Sequence, residues 1–354
     1  MSANPTHDGC QSTTPCEDEK AGETLTRRQM MTYTGAGIAL ATTALATRHV
    51  MADRAPVFIA RNQRYDGPLA QTIRDGLLAT GMAAATFRGK NVLLKPNLVE
   101  PTRQRPQMTT HPAVIVAIAE VFRDWGATVV VGEAPGHVRD SDMAVQESGM
   151  SDALTDAKLK FADLNYQDVQ WRKNLGGYSP LAGFYLPSAV LEADFVVSVP
   201  KMKTHHWMGM TASMKNLYGV LPGIKYGWPK NVLHHAGIPE TVVDIYKSLP
   251  PTLTIIDAID CMEGDGPILG TLKRMGLILV GQNLRAVDAT VARIMGLDPT
   301  RVAYLALAHR MGPVDDRYIQ QSGERWQELA NPFKILDRPH LRYLQANNDG
   351  PLVT

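Results

Sequence analysis

The sequence predicts an α/β fold in which a mostly parallel sheet is flanked by helices. From Pro56 onward, short runs rich in β-branched residues alternate with segments whose apolar residues recur at helical spacing. Several of the strand-like runs are apolar throughout, which is typical of parallel strands covered on both faces. Hydrophobic residues make up 44% of the 354 residues and charged residues 20%, which excludes an intrinsically disordered chain.

Six strands and two helices can be placed along the chain from these patterns. A helix over residues 112–125 follows from a single apolar stripe, with Thr109 or Thr110 available as its N-cap. A second helix with the same behaviour covers residues 286–295. The predicted strands are residues 57–60, 91–95, 128–132, 195–199, 253–257 and 277–281.

A long segment between the fourth and fifth predicted strands has neither strand nor helix periodicity. It covers residues 201–239 and is rich in Lys, His and Gly. Such a stretch inside an α/β protein is usually functional or mobile, so we expect an irregular insertion that forms the site. Pro250-Pro251 is the best candidate for a domain boundary, but a strand follows it at once. We therefore expect a single α/β domain over residues 53–354.

Residues 1–52 are predicted to be a disordered tail followed by an export signal. Arg27-Arg28 precedes a weakly apolar run without acidic residues, and small-residue sites end at Ala46 and Ala52. This arrangement resembles a bacterial twin-arginine (Tat) signal peptide, and the alternative is a tail with a chance Arg-Arg pair. We expect export by the twin-arginine machinery to a periplasmic or extracytoplasmic location, with the signal cleaved after Ala46 or Ala52 or retained as an anchor. No later apolar run approaches membrane-spanning length, so we expect no membrane span in the mature chain.

Charge and cysteine content exclude several classes of protein. The formal net charge is +1, from 36 Lys and Arg against 35 Asp and Glu, so no nucleic-acid partner is expected. The three cysteines cannot ligate an iron–sulfur cluster or build a disulfide framework, and their spacing is not that of a zinc ribbon. Cys10 and Cys16 leave with the predicted signal, so only Cys261 remains in the mature chain.

The stretch from residue 195 to residue 239 contains no acidic residue. Unneutralised cations in one segment attract an anion, and the run begins where a predicted strand ends, which is where open α/β sheets bind ligands. Interleaved aromatic residues would also allow a planar ring to stack there. The alternative is a solvated basic face, although solubilising surfaces normally mix both signs of charge. The cations are Lys201, Lys203, Lys215, Lys225 and Lys230, accompanied by His205, His206, His234 and His235.

Two other predicted strands end in polar residues that belong with this basic segment. Lys95 and Asn97 flank a proline that takes the chain out of the sheet and leaves both side chains at its rim. Glu133 follows the next strand, in a glycine-containing turn that is weak as a phosphate cradle and equally typical of an ordinary turn. We expect these residues to gather around the same anion.

Four carboxylates without a cation follow the fifth predicted strand. Residues 257–267 break into glycines, and hard divalent cations such as Mg²⁺ bind clustered carboxylate oxygens in such loops. A metal together with lysines around one anion would stabilise a charged transition state. The alternative is an ordinary turn rich in Asp and Gly. The predicted metal ligands are Asp257, Asp260, Glu263 and Asp265.

Five separated motifs contain most of these polar residues. They are Lys95-Pro96-Asn97, Pro200-Lys201-x-Lys203-x-His205, Ser213-x-Lys215-Asn216-x-x-Gly219, Glu263-Gly264-x-Gly266-Pro267, and Ala286-Val287-Asp288 through Gly296. In this order they resemble the domain of unknown function 362 (DUF362) family, over about residues 56–312. The resemblance implies an α/β fold and a shared polar site, but no settled reaction. Some members carry ferredoxin-like clusters, and the three cysteines here exclude such an appended module.

These observations predict an exported enzyme that acts on an anionic small molecule bearing phosphate or carboxylate, with a divalent metal as a candidate cofactor. Lys203, Lys215 and His205 are the predicted catalytic residues, and His205 is assigned to proton transfer. The alternative is a non-catalytic periplasmic protein that binds an anion or a cofactor, or matures one, and the sequence does not separate the two. The predicted substrate-binding residues are Lys95, Asn97, Lys201, Asn216 and Glu133.

Overall fold

A sheet of ten strands carries the fold of this protein, whose computed structural model describes residues 54–99, 102–136, 139–347 and 350–353. These residues belong to one compact unit, Asp53–Thr354. The strands within the described ranges are β1 (Ala55–Ala60), β2 (Asn91–Lys95), β3 (Thr128–Glu133), β4 (Lys160–Asp163), β5 (Val169–Lys173), β6 (Gly183–Pro187), β7 (Phe195–Ser198), β8 (Lys201–His205), β9 (Gly209–Thr211), β10 (Thr252–Glu263), β11 (Thr271–Gly281), β12 (Ile319–Gly323), β13 (Ile335–Leu336) and β14 (Leu352–Val353).

Most of the helices are short, and four of them exceed ten residues. In the same described ranges they are α1 (Leu69–Ala79), α2 (Ala84–Phe87), α3 (Pro112–Asp124), α4 (Ser141–Glu147), α5 (Met150–Asp156), α6 (Ser188–Leu191), α7 (Ser213–Asn216), α8 (Gly223–Tyr226), α9 (Asn231–His235), α10 (Ile238–Ser248), α11 (Leu284–Ile294), α12 (Ala303–Leu307), α13 (Trp326–Leu329) and α14 (Pro339–Arg342), with 3-10 turns at Leu217–Val220 and Asp316–Tyr318.

The large sheet is mixed but mostly parallel. Its strand order is β12-β1-β11-β10-β7-β2-β3-β4, with β8 paired to β10 and β9 paired to β8. Strands β10, β7, β2, β3 and β4 run parallel, as do the pairs β1/β12 and β8/β10. The antiparallel pairs are β1/β11, β10/β11 and β8/β9. The predicted α/β class with a mostly parallel sheet is therefore confirmed.

Helices cover both faces of this sheet. Along β2, Leu93 packs into one hydrophobic cluster, whereas Val92 and Leu94 pack into a second. Because successive side chains of a strand point to opposite faces, the two clusters are the cores on the two sides of the sheet. The predicted apolar stripe of α3 lies in the second cluster, and that of α11 lies in the first.

The six predicted strands and two predicted helices are all present, with differences at their ends. The cap of α3 is His111, whose Nδ1 accepts the Ala113 amide at 3.2 Å, and not Thr109 or Thr110. The Thr110 hydroxyl instead accepts the Asn97 amide and donates to the Val199 carbonyl, so it ties two strand ends together. Helix α11 begins two residues before the predicted start, where the Asn283 side chain accepts the Ala286 amide at 2.9 Å.

The segment 201–239 is more regular than its sequence predicts. Its first five residues form β8, every residue of which is buried, and β9 and three short helices follow. Lys201 and Lys203 are fully buried in that strand. Because β8 has lysines at two of its buried positions, its sequence lacks the alternation of apolar and polar residues that predicts a strand.

In the part of the chain that the structure describes, no helix combines the length and apolar character needed to cross a bilayer. The Arg27-Arg28 pair and both predicted cleavage sites lie outside the described residues.

Candidate functional site

A cavity of about 340 Å³ lies beside the carboxyl ends of the neighbouring parallel strands β2 and β3. This edge of an open α/β sheet is where ligands characteristically bind. Lys95 is the last residue of β2 and Glu133 the last of β3, while β8 and α7 supply the facing wall. The structure brings together seven of the residues that the sequence assigns to the site: Lys95, Asn97, Glu133, Lys203, His205, Lys215 and Asn216.

Lys95 and Glu133 form a buried ion pair on the floor of the cavity. The Lys95 Nζ lies 2.5 Å from the Glu133 Oε2, and both side chains are almost fully buried. Burial lowers the pKa of Lys95 and raises the pKa of Glu133, while the attraction between the two groups opposes both shifts. Lys95 also donates to the Asn216 Oδ1 at 3.2 Å, and Asn216 returns a hydrogen bond to the Lys95 carbonyl. These three side chains therefore hold one another in place.

Gly219 is required beside this pair because no side chain fits there. A Cβ on Gly219 would lie 1.9 Å from the Glu133 Oε1 and 2.5 Å from the Lys95 Nζ. The Gly219 carbonyl also accepts the Ala134 amide at 2.8 Å, which fixes the 3-10 turn against the end of β3. The glycine of the Ser213-to-Gly219 motif thus serves the close approach of backbone to an ion pair.

Three further lysines reach the cavity without a carboxylate partner. Lys203 is fully buried and donates to the carbonyls of Met108 at 2.8 Å and Pro267 at 3.3 Å. Lys230 is also buried and donates to two backbone carbonyls, those of Ala134 and Leu221. Burial lowers the pKa of Lys203 well below its usual range and lowers the pKa of Lys230 to about 7. Backbone carbonyls hold these amines in place but do not neutralise their charge.

Lys215 differs from the other lysines in its contacts. Its Nζ lies 4.0 Å from the centre of the Tyr218 ring and donates no hydrogen bond to any described residue. Burial, followed by the charge of Lys95, lowers the pKa of Lys215 to about 8. At pH 7 about one tenth of this amine is therefore uncharged, and the uncharged share rises to about one half near pH 8.

Asp288 positions the helix that carries Lys215 and Asn216. The fully buried carboxylate accepts the amides of Ser213 at 2.7 Å and Met214 at 3.0 Å, the first two residues of α7, and also the Tyr304 hydroxyl. Burial raises the pKa of Asp288 to about 6. Asp288, the acid of the Ala286-Val287-Asp288 motif, therefore supports the site by holding α7 in position. The sequence alone does not predict this role.

His205 lines the cavity and uses its ring nitrogen Nδ1 for contacts within the protein. Its Nδ1 accepts the amides of Trp207 at 3.1 Å and Met208 at 3.3 Å, so the proton of the neutral ring lies on Nε2. Burial, followed by the positive charge of Lys215, lowers the pKa of His205 well below its usual range. His205 is thus a neutral imidazole with a hydrogen-bond donor on Nε2.

Asn97 contributes an unpaired polar atom. The residue is 8% exposed and lines the cavity, and its Oδ1 has no hydrogen-bond partner among the described residues. Its backbone is fixed by reciprocal bonds with Thr110. An unpaired buried amide is costly unless a ligand or water completes it, so Asn97 is placed to contact a ligand.

Lys201 is not among the residues that line the cavity. Its Nζ lies 2.6 Å from the Asp257 Oδ2, and both side chains are fully buried. Asp257 also accepts the Tyr65 hydroxyl at 3.1 Å and the His111 amide at 2.9 Å. This cluster ties β8 and β10 to the start of α3, so Lys201 and Asp257 neutralise each other and support the fold rather than a ligand.

The four predicted metal ligands are not brought together. Segment 252–263 is one long strand rather than a loop, which spreads its carboxylates along β10. Within the described ranges there is no group of three or more His, Cys, Asp or Glu side chains placed to bind a metal ion. Each acid has a basic neighbour instead: Asp257 has Lys201, Asp260 has Arg274 at 3.7 Å, Glu263 has Lys273 at 3.2 Å and Lys334 at 3.7 Å, and Asp265 has His206 at 3.9 Å.

The cavity also includes residues of the basic segment to which the sequence assigns no catalytic or binding role. Lys230 is the most important, because it is the fourth lysine of the lining. Its backbone has a left-handed φ of 69°, and no local pattern predicts that conformation for lysine. Trp207, Tyr218 and His234 also line the cavity, with ring centroids of His234 at 5.4 Å from Trp207 and 5.9 Å from Tyr218. The interleaving of aromatic and basic residues is the sequence signal for this wall.

The sequence profile of the family described as domain of unknown function (DUF362) matches residues 92–293. The chain belongs to this family. The matched range contains every described residue that lines the cavity, although it is narrower at both ends than the resemblance over residues 56–312.

Two known proteins are similar to this DUF362 member. The thylakoid-associated protein sll1697 of Synechocystis sp. is 30% identical over 260 residues, covering 72% of this chain and 79% of that protein. The structure of the lactate racemase apoprotein from Thermoanaerobacterium thermosaccharolyticum matches with a TM-score of 0.43 and 13% sequence identity. That match covers 68% of this chain and 57% of the racemase chain.

We expect Asp257→Asn to destabilise the fold, because the substitution leaves the Lys201 ammonium buried without a counter-ion. The expected loss is about 3 kcal/mol in the free energy of unfolding, measured by urea denaturation. The exposed pair of Arg64 and Asp66, 2.8 Å apart, provides the control. Asp66→Asn should leave the free energy of unfolding almost unchanged, because solvent screens an exposed ion pair. Equal effects of the two substitutions would contradict the structural role of Asp257.

Proposed function

We propose that this protein is an enzyme that binds an anionic small molecule, bearing phosphate or carboxylate, in the lysine-lined cavity. One observation carries the proposal: among the described lining residues, four are lysines and one is an acid, Glu133. Glu133 is already paired with Lys95, so the other three amines have no counter-ion. An anion in the cavity would supply the missing charge, and charge-assisted hydrogen bonds to it would be strong in this buried setting.

The lining residues divide into binding and reacting groups. Lys203 and Lys230 are anchored on backbone carbonyls and would hold the anion in a fixed position. The Asn97 Oδ1 would accept a hydrogen bond from an N–H or O–H group of the ligand. His205 would donate a hydrogen bond from its Nε2–H to the ligand rather than transfer a proton, because Nδ1 already accepts two backbone amides. The Lys215 amine, which donates no hydrogen bond to any described residue, is available to react with a ligand, and this favours an enzyme over a carrier.

Oxalate binding tests the anion site, since the charge of oxalate does not change near neutral pH. Lys215→Gln should weaken oxalate binding at least about tenfold, the loss expected for one hydrogen bond to a charged group. Lys225 is a matched control from the same segment, because it is exposed and its Nζ lies 5.2 Å from the centre of another tyrosine ring, that of Tyr185. Lys225→Gln should leave the affinity unchanged in isothermal titration calorimetry.

The same titration has a predicted pH dependence. The protonated amines bind the anion, and Lys215 and Lys230 gain their protons as the pH falls through about 8 and about 7. Oxalate affinity should therefore rise as the pH is lowered from about 9 to about 6.5. An affinity that is constant or falls over this interval, or equal affinities of the two lysine variants, would contradict the proposed site. Tight binding without turnover of any phosphorylated or carboxylated compound would identify a carrier instead.

We also propose that the chain is exported in folded form by the twin-arginine pathway. The support is the Arg27-Arg28 pair, the mild apolar run after it, and the small-residue sites at Ala46 and Ala52. Replacing both arginines by lysine keeps the charge and should leave the protein in the cytoplasm of its host. Fractionation and immunoblotting would measure the distribution. Unchanged periplasmic accumulation of the double variant would contradict this route.

A further inference from the structure

The four lysines of the cavity differ in the hydrogen bonds that their amines already make within the protein. Lys95 is committed to Glu133 and Asn216. Lys203 and Lys230 each donate to two backbone carbonyls. Lys215 alone among these described lysines donates no hydrogen bond within the protein, and it is half-buried where the others are buried. Its lone pair, once the amine is deprotonated, is therefore available to a ligand in the cavity.

The surroundings of Lys215 favour the neutral amine. Its Nζ rests on the face of Tyr218, 4.0 Å from the ring centre, with no carboxylate to retain the proton. The other cations in the same cavity also oppose protonation, and the pKa of Lys215 is lowered to about 8 by burial and by the charge of Lys95. A desolvated lysine beside other cations is the established setting of an amine nucleophile.

We propose that Lys215 attacks a carbonyl carbon of the substrate and forms an imine, which makes the substrate an aldehyde or ketone that also carries an anionic group, such as a 2-oxo acid. This inference rests on the proposed anion site and adds the reacting group of the substrate. The two remaining unneutralised amines, Lys203 and Lys230, would hold the carboxylate or phosphate while Lys215 meets the carbonyl. A cavity of about 340 Å³ suits a small molecule of this kind.

The step balances without an oxidant, a reductant or a metal. The Lys215 nitrogen forms a bond to the carbonyl carbon as the C=O π electrons move to oxygen, giving a carbinolamine after proton transfer from nitrogen to oxygen. The nitrogen lone pair then expels the hydroxyl group as water, which requires one further proton. A solvent proton supplies it, and the departing hydroxyl would accept a hydrogen bond from the Nε2–H of His205, which lines the same cavity. Loss of the second proton from nitrogen restores the neutral imine.

Borohydride trapping with glyoxylate tests this inference directly. Reduction of an imine fixes the substrate on the lysine as a stable secondary amine, which intact mass and peptide mapping locate. We expect one dominant adduct on Lys215 in the wild-type protein. The adduct should be lost in Lys215→Gln and Lys215→Arg, the latter of which keeps the positive charge, and retained in Lys225→Gln. Thermal melting of each variant establishes that it is folded.

Parallel oxalate titration separates this inference from the proposed function, because oxalate carries two carboxylates but no aldehyde or ketone. Oxalate binding together with a Lys215 adduct supports both proposals. Oxalate binding without an adduct, or with adducts confined to exposed lysines, would overturn the imine and leave the anion site intact. Absence of both would overturn the anion site as well. An adduct on Lys203 or Lys230 in place of Lys215 would also overturn the assignment, because those amines should be held by backbone carbonyls.

Discussion

Buried lysine charge without enough carboxylate to balance it is the constraint on which this site depends. Four lysines line the cavity, and Glu133 is the single acid among the described lining residues. The imbalance explains why the amines of Lys203 and Lys230 turn to backbone carbonyls, and burial, aided by the charges of neighbouring lysines, lowers their pKa values. An unpaired cation in a low-dielectric setting costs free energy, so the cavity is best completed by an anion.

Five buried or half-buried lysines have two different roles, which their partners distinguish. Lys201 with Asp257 and Lys95 with Glu133 form close ion pairs that join strands to one another and to the turns that follow them. Lys203, Lys215 and Lys230 lack such partners and surround open space. The fold therefore uses neutralised lysines for support and leaves unneutralised ones for chemistry. Asp288 supports the second group indirectly, since its carboxylate holds the start of α7, the helix that carries Lys215.

The sequence predicted much of the fold and most of the cavity because both depend on strand ends. Lys95 and Glu133 end β2 and β3, Lys203 follows the predicted strand 195–199, and parallel strands bring their carboxyl ends to one edge. The predicted metal ligands do not come together, because residues 252–263 continue as a strand. The basic neighbours of these acids all lie outside residues 257–267, so the composition of that segment does not reveal them. Lys230 could not be placed from sequence, since its position depends on a left-handed turn and on contacts with Ala134, almost a hundred residues earlier.

Crystallography with selenate would test the central claim most directly, because selenate resembles phosphate in shape and charge and is located by anomalous scattering. We expect an anomalous peak inside the cavity, within hydrogen-bond distance of the amines of Lys203 and Lys215. The peak should be lost from crystals of Lys215→Gln and retained in Lys225→Gln. Selenate confined to the protein surface, with solvent alone in the cavity, would contradict the assignment of this lysine cluster as an anion site.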